Sequence, residues 1–446
     1  MRVSRILGAL VALGVAFGVG SAAAEPQADP QADPALTELV QILKNQGVLD
    51  EAEYTHLTAK AAKQEEKQSW TDRITLWGDL RGRYEGFFYT GDDDDVPDRS
   101  RLRYRLRLNG KAEINSRAQV LFRIASGSDD NRSTNQTLGN DPDFASDAIW
   151  IDRAYVRISP FVDGLLPGEG GTAWIEFGKV PNPYVWKHGK DFMLWDHDIN
   201  LEGANVLFEN DISDRINVFA STGYYVVDEL SSHADPNLVA GQVGGHFRLA
   251  DGVTAGTRVS YFRFGDMNEA EIGRGVDGTD GVTSGGGNIV DGLTGDPFGG
   301  SMNVIESGVY LDLDLIESWP ITLYANVSSN LSAESSDLFP QAGREDLAWG
   351  VGGEIGDKKK WLKLGIGYWQ IEANAFPSQF IDSDLFDGYT NRKGFAFYGS
   401  RQILENTDLN ITALLSDPID DSLPAFADSV AKAERVRIQA DMIFKF

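Results

Sequence analysis

From Arg99 to Arg107 every second residue is an arginine: Arg99, Arg101, Arg103, Arg105 and Arg107, with Ser100, Leu102, Tyr104 and Leu106 between them. Period two is the repeat of a β-strand, which sends alternate side chains to opposite faces. One face of this segment is therefore a row of guanidiniums and the other is largely apolar. Nearby segments repeat the theme with Arg81 and Arg83, Arg123, Arg153 and Arg157, and Arg435 and Arg437 on one face each. A guanidinium is permanently charged and presents a planar fork suited to carboxylates and other oxyanions. Against lipid each would cost roughly 2–4 kcal/mol near the membrane midplane, so a row of them must face water. The acids that share this face, such as Asp79 and Glu85, are fewer than the arginines. The residues thus predict a basic wall around a hydrated interior, with pairing to those acids as the competing reading.

A second cluster lies in Pro181–Gly203, a connection between two strand-like segments. It holds four aromatics, Tyr184, Trp186, Phe192 and Trp195, and the charges Lys187, Lys190, Asp191, Asp196, Asp198 and Glu202. Connections are normally polar, so rings at this density need a surface to pack on. Folding inward would bury them and set the charges in a constriction opposite the arginines, where a transverse field sorts solutes by charge and dipole. Packing at the mouth is the alternative.

Other chemistry is thin. The five histidines, His56, His188, His197, His233 and His246, show neither helical metal spacing nor a partner nucleophile and orienting acid, and there is no cysteine. No metal site, cofactor or enzymatic activity is expected. The acidic runs Asp92–Asp95 and Gly273–Gly300 lack the ligand spacing of an EF-hand and read as solvated loops, which also suit divalent ions bridging to lipopolysaccharide. The net charge of −27 argues against a nucleic-acid partner.

The elements that must position these residues follow from the same period. Sixteen alternating segments start near Arg73, Arg99, Arg117, Ile149, Ala173, Ala204, Arg215, Leu238, Val253, Met302, Ile321, Leu347, Trp361, Lys393, Asp408 and Glu434. Their connections alternate between tight ones, such as Asn115–Ser116, Asp211–Asp214, Asp357–Lys360 and Leu404–Thr407, and long ones, such as Ser126–Asp147, Pro181–Gly203, Gly265–Ser301 and Glu372–Arg392. An even strand number with short turns on one rim and long loops on the other is the pattern of an outer-membrane β-barrel, turns periplasmic and loops extracellular. The stretch Gly164–Gly171 is long for the short rim and fits least well. The expected fold is all-β: a 16-stranded antiparallel transmembrane barrel over 71–446. About eight strands fill their own interior with side chains, whereas sixteen leave a channel.

The flanks agree. Arg2 and Arg5, the apolar run Ile6–Gly20 and the small residues Ser21–Ala24 read as a secretory leader over 1–24, the apolar run being too short for a spanning helix. Residues 25–70 read as an extended linker, EPQADPQADP, followed by a helical hairpin. Leu36, Leu39, Val40 and Leu43 have helical spacing, Gly47 closes the first helix, and Asp50 with Glu53 opens the second as a capping box. This segment would lie in the periplasm, as a spacer or a contact for assembly. At the other end Val436, Ile438, Ala440, Met442 and Phe444 alternate with polar residues before the final Phe446. Phe444 and Phe446 are expected to be the signal read by the barrel-insertion machinery. Aromatics near strand ends, among them Trp77, Tyr84, Trp150, Tyr224, Tyr261, Trp361 and Tyr368, fit girdles at the two membrane interfaces.

The leader, the helical segment before the barrel, the terminal Phe, and the stretches Gly178–Pro183 and Leu194–Ala204 together resemble a family of bacterial outer-membrane porins that carry a short N-terminal helical segment. That resemblance implies a homotrimeric, sixteen-stranded general porin passing small hydrophilic solutes. There is also a distant resemblance to the phosphate-selective porins, although the loop lysine cluster is missing here. A non-channel barrel with a structural, adhesive or receptor role and long acidic loops is the other function class left open.

Overall fold

The computed structural model describes residues 73–446 apart from 91–96, 129, 141, 161–170, 186–193, 232–233, 268–285, 290–300, 318, 336–342 and 424–432, together with Lys44, Tyr54 and Thr55. The leader expected over 1–24 and nearly all of the linker and hairpin expected over 25–70 lie outside the described residues. So do the acidic run Asp92–Asp95, most of Gly273–Gly300 and most of Gly164–Gly171.

The regular secondary structure of the described residues is almost wholly strand. In order these are β1 (Ile74–Thr90), β2 (Arg99–Asn115), β3 (Ala118–Ala125), β4 (Gln136–Thr137), β5 (Trp150–Ile158), β6 (Thr172–Pro181), β7 (Asn200–Ser213), β8 (Ile216–Val226), β9 (Asn237–Ala250), β10 (Val253–Gly265), β11 (Met302–Leu313), β12 (Ile321–Asn330), β13 (Leu347–Ile355), β14 (Lys363–Ile371), β15 (Arg392–Leu404), β16 (Thr407–Pro418) and β17 (Glu434–Lys445). The two-residue β4 is a side pairing of the β3–β5 connection onto β2, Arg103 opposite Thr137. The other sixteen run antiparallel, each to its neighbour, and β1 pairs with both β2 and β17. The sheet therefore closes into a 16-stranded barrel with no free edge. Every one of the sixteen expected segments has its strand; the largest offset is at β7, which starts at Asn200 rather than Ala204.

Closure is completed past the last strand. Phe446 and Gly78 exchange backbone hydrogen bonds, N to O, at 3.1 and 2.8 Å, and the Phe446 ring lies over the place where a Gly78 side chain would stand.

The alternation of faces is as the period requires. Leu102 is 55% exposed on the outer face while Arg105 is 9% exposed on the inner one. Along β17, Ile438, Met442 and Phe444 face out, and Arg435, Arg437, Gln439 and Asp441 are buried within. The inner face is divided. On β9, β10 and β11 it is apolar toward the long-loop end, with Leu238, Ala240, Phe262, Phe264, Met302 and Val304 buried, and polar further along, with Gln242, Arg258, Ser260 and Glu306 buried. On β1, β2, β3, β5 and β17 it is charged. On β13 and β14 inward rings lie flat against inward glycines: the Trp369 indole occupies the space of side chains at both Gly350 and Gly367, within 2.2 Å of their would-be Cβ positions. Any residue with a side chain there would push the ring into the lumen.

Candidate functional site

Two connections enter the barrel and pack on its apolar inner side. The first is the β6–β7 connection, 182–199. The Tyr184 hydroxyl donates to the Ala240 carbonyl at 3.2 Å, and its ring meets Phe262 edge-on at 5.4 Å. Arg258, fully buried on β10 and paired with Glu306 at 2.7 Å, donates to the Tyr184 carbonyl and so ties the loop to the wall. Trp195 meets Phe262 edge-on at 5.5 Å; because Phe262 is fully buried and its neighbour Tyr261 is 42% exposed, Trp195 must be inside. Trp186, Lys187, Lys190, Asp191 and Phe192 lie outside the described residues.

The second is the β14–β15 connection, 372–391, which the sequence reading passed over. Phe376, Phe380, Ile381, Leu385 and Phe386 are buried. Phe380 stacks on Trp195 at 5.6 Å, Phe376 meets it edge-on at 5.1 Å, and the Asp196 amide donates to the Phe380 carbonyl at 2.8 Å. The two loops thus form one apolar body against β9–β11. Its composition, AFPSQFIDSDLFDGY, was the available signal: it is as rich in rings and aliphatics as the first loop. A fragment of the β10–β11 connection braces it, with the Asn288 side-chain amide donating to the Ala373 and Phe376 carbonyls at 2.6 and 2.9 Å.

Opposite this body stands the arginine arc. Across β1–β2, Arg81 is opposite Arg105 and Arg83 opposite Arg103, a pairing of like charges that destabilises a sheet unless counter-charges intervene. They do. Arg105 is held by Asp79 at 2.5 Å, Arg101 by Glu85, Arg123 by Asp152, and Arg157 by Glu176 at 2.5 Å. Asp152 reaches the inside because the β3–β5 register shifts at Arg123/Ile124, so that Asp152 and Arg153 both turn inward. Arg153 donates to the Asn200 side-chain oxygen at 2.7 Å. Arg99 stands exposed at the strand end.

The inward loops supply the remaining acids. Asp198 accepts from Arg107 and from the Thr134 amide at 3.1 Å. Burial pushes the Asp198 carboxyl up, but the guanidiniums of Arg107, Arg105 and Arg81 outweigh that and hold it below the usual carboxylate range. Asp384 of the second loop bridges Arg83 at 2.8 Å and Arg437 at 3.1 Å and accepts from Gln439 at 2.8 Å. Burial opposes its ionisation too, and Arg83 and Arg437 hold it well below the usual range. Asp387 pairs with Arg435 at 2.8 Å and Arg437 at 2.6 Å. Asp196 is different: burial, reinforced by Asp382 and Asp198, pushes its carboxyl well above the usual range, and it accepts from the Ser383 amide at 2.7 Å.

Between arc and loops runs a polar cavity of about 460 Å³. Arg81, Arg105, Arg107 and Arg132 line one side, His197, Asp382 and Asp384 the other, with Glu354, Lys363 and Tyr398 beyond. The wall arginines Arg81, Arg103 and Arg153 have a neutral group as nearest partner: Arg81 the Asn135 side-chain oxygen at 2.5 Å, Arg103 Ser133 and the Asn135 carbonyl at 3.1 and 3.2 Å, and Arg153 the Asn200 oxygen; Asp441 lies 3.9 Å from Arg81 and Glu85 3.6 Å from Arg103.

This geometry bears on two expectations. The arginines are paired more fully than Asp79 and Glu85 alone allow, because Asp384 and Asp387 arrive from a loop far along the chain. Glu202 is not in the first loop: it lies on the outer face of β7, paired with Lys179 on β6 at 2.7 Å. Asp196 and Asp198 do enter the lumen, but only Asp198 meets the arc.

Comparison with known proteins adds to this picture. The family described as putative porin matches residues 93–273. Pseudomonas putida OprB, solved at high pH, superposes with a TM-score of 0.50 at 9% identity, covering 87% of this chain and 97% of that one. This is a porin fold. The Acinetobacter baumannii outer membrane channel DcaP superposes with a TM-score of 0.44 at 14% identity, over 84% of this chain and 97% of that one, and Salmonella typhi OmpF in complex with daunomycin with 0.46 at 10%, over 85% and 99%. No curated protein matches this chain in sequence.

Proposed function

We propose that the protein is an outer-membrane porin, a passive channel for small hydrophilic solutes and ions, with the N-terminal segment in the periplasm and homotrimeric assembly. One observation carries this reading: a barrel of sixteen strands surrounds a polar cavity lined by charged side chains, where a smaller barrel would be filled by its own residues. The apolar outer face suits outer-membrane lipid and lipopolysaccharide, and Phe444 and Phe446 suit recognition by the insertion machinery. Arg81, Arg83, Arg101, Arg103, Arg105, Arg107, Arg123, Arg153, Arg157, Arg435 and Arg437 line the pore, with Arg99 at its rim. Selectivity resides where the nearest partners of the guanidiniums are neutral, at Arg81, which lines the cavity with His197 and Asp382, and at Arg103 beside it on the neighbouring strand. Lys187, Lys190 and Asp191 belong to the same constriction loop.

The test is the reversal potential of the refolded protein in a planar bilayer under a KCl gradient, with Arg81→Gln/Arg103→Gln beside the wild type. Both should conduct, and the variant should reverse at a potential shifted toward cation preference. Identical reversal potentials would discard the selectivity mechanism and keep the channel. A sealed membrane with well-folded protein would instead support a structural, adhesive or receptor barrel.

A further inference from the structure

On the outer face, β12–β16 carry a groove of about 830 Å³. Its walls are apolar, with Leu323, Leu364, Ile366, Phe397 and Ile411, and its floor lacks side chains at Gly353 and Gly399. A Cβ at Gly353 would stand 3.0 Å from Leu323 and one at Gly399 3.2 Å from Leu364, so the glycines keep a furrow open that any larger residue would fill. The groove runs to the short-turn rim and ends at Arg401.

An arginine on the lipid face of a barrel is tolerated near an interface, where its stem lies along apolar surface and its head reaches a phosphate. Arg401 is exposed and has no ion-pair partner among the described residues. Beside it the β13–β14 turn carries Lys359, exposed, and the Lys358 carbonyl accepts from the Gln402 amide at 2.9 Å, which binds the turn to the end of β15. Asp357 is occupied in that turn, accepting from the Lys359 amide at 2.8 Å. The level of the head groups is marked independently: Trp361, 53% exposed, and Trp319 meet at 5.3 Å, at the rim where interfacial tryptophans gather. Phe397 lies four residues from Arg401, about 13 Å along the strand, so chain and head-group contacts are in register.

We propose that this groove is a specific phospholipid site on the short-turn side, seating an acyl chain between Gly353 and Gly399 and the phosphate of an anionic head group on Arg401 and Lys359. The proposal rests on the membrane reading above but not on conduction.

The experiment is native mass spectrometry of the full chain released from micelles after incubation with dioleoylphosphatidylglycerol or dioleoylphosphatidylcholine. Arg401→Gln/Lys359→Gln and Gly399→Leu are compared with wild type, with heat-modifiable electrophoretic mobility to establish that each barrel is folded. The wild type should retain phosphatidylglycerol in preference to phosphatidylcholine. The charge variant should lose that preference by about tenfold, and Gly399→Leu should lose both lipids. Equal retention of both lipids by the wild type, or no effect of either variant, overturns the proposal. So does loss of oligomers in Gly399→Leu with lipid retention unchanged, which would make the groove a subunit interface. Bilayer conductance of the same preparations separates failure of this site from failure of the porin reading.

Discussion

At the scale of single residues the lumen is organised by carboxylates that arrive from loops. Asp384 is the clearest case: a third exposed itself, it bridges the buried Arg83 and Arg437, which also keep Asp441, Glu85 and Asp387 as partners, so removing its charge weakens the cluster without stripping either guanidinium. Asp384→Asn should therefore lower thermal stability modestly and loosen the second loop on the arc, raising single-channel conductance; unchanged conductance with reduced stability would mean that the loop stays seated on its rings and on Asp387. Because Asp384 and Asp198 are held below the usual carboxylate range, their contribution is complete above an unfolded-state pKa of about 4 and is lost as pH falls below it. Glu345 runs the other way. Burial, with Glu372, Asp420 and Asp346 nearby, raises its carboxyl to about 7, and its carbonyl accepts from the Asn374 amide at 2.7 Å. A raised acid contributes stability that is fully present below its unfolded-state pKa of about 4 and is lost progressively as pH rises through about 7. Hydrogen exchange at Asn374, corrected for intrinsic rate, should be slower at pH 6 than at pH 8, and Glu345→Gln should abolish the difference.

At the scale of elements the two inward loops stand or fall together. Trp195 belongs to the first and packs on Phe376 and Phe380 of the second as well as on Phe262 of the wall. Trp195→Ala should destabilise this body by about 3–5 kcal/mol, and both loops should become susceptible to protease in the folded barrel. Cleavage confined to the first loop would show that the second is held by Asp384 and Asp387 independently. The strands themselves should be insensitive, because their pairing runs through the wall and not through the loops.

At the scale of the whole molecule the decisive event is closure. β1 and β17 are at opposite ends of the barrel sequence, and their pairing runs from Asp79 opposite Lys445 to Thr90 opposite Glu434. Phe446 adds the last link, on Gly78. Removing Phe446 should reduce the yield of heat-modifiable, outer-membrane-inserted protein while leaving conductance of the protein that does insert unchanged. A changed conductance would place the residue in the lumen's architecture rather than in assembly.

Strand number, face and order were legible in the sequence, because in a barrel each strand pairs mainly with its sequence neighbours and the period of two is imposed by lipid on one side and water on the other. The row Arg99–Arg107 and the alternation before Phe446 needed no tertiary information to be read as inward and outward faces. The rings of the β6–β7 connection likewise demanded a surface, and Tyr184 and Trp195 found one inside. What the sequence could not disclose was which charges meet. The acids nearest Arg83 and Arg437 in space include Asp384, and the phase of a loop, unlike that of a strand, is not set by any repeat. The bulge that turns Asp152 inward, the outward turn of Glu202 and the neutral nearest partner of Arg81 are all consequences of register and loop path. Period alone determined the barrel and the sidedness of its wall; only the folded chain decided how much of that charge is left to face the solute.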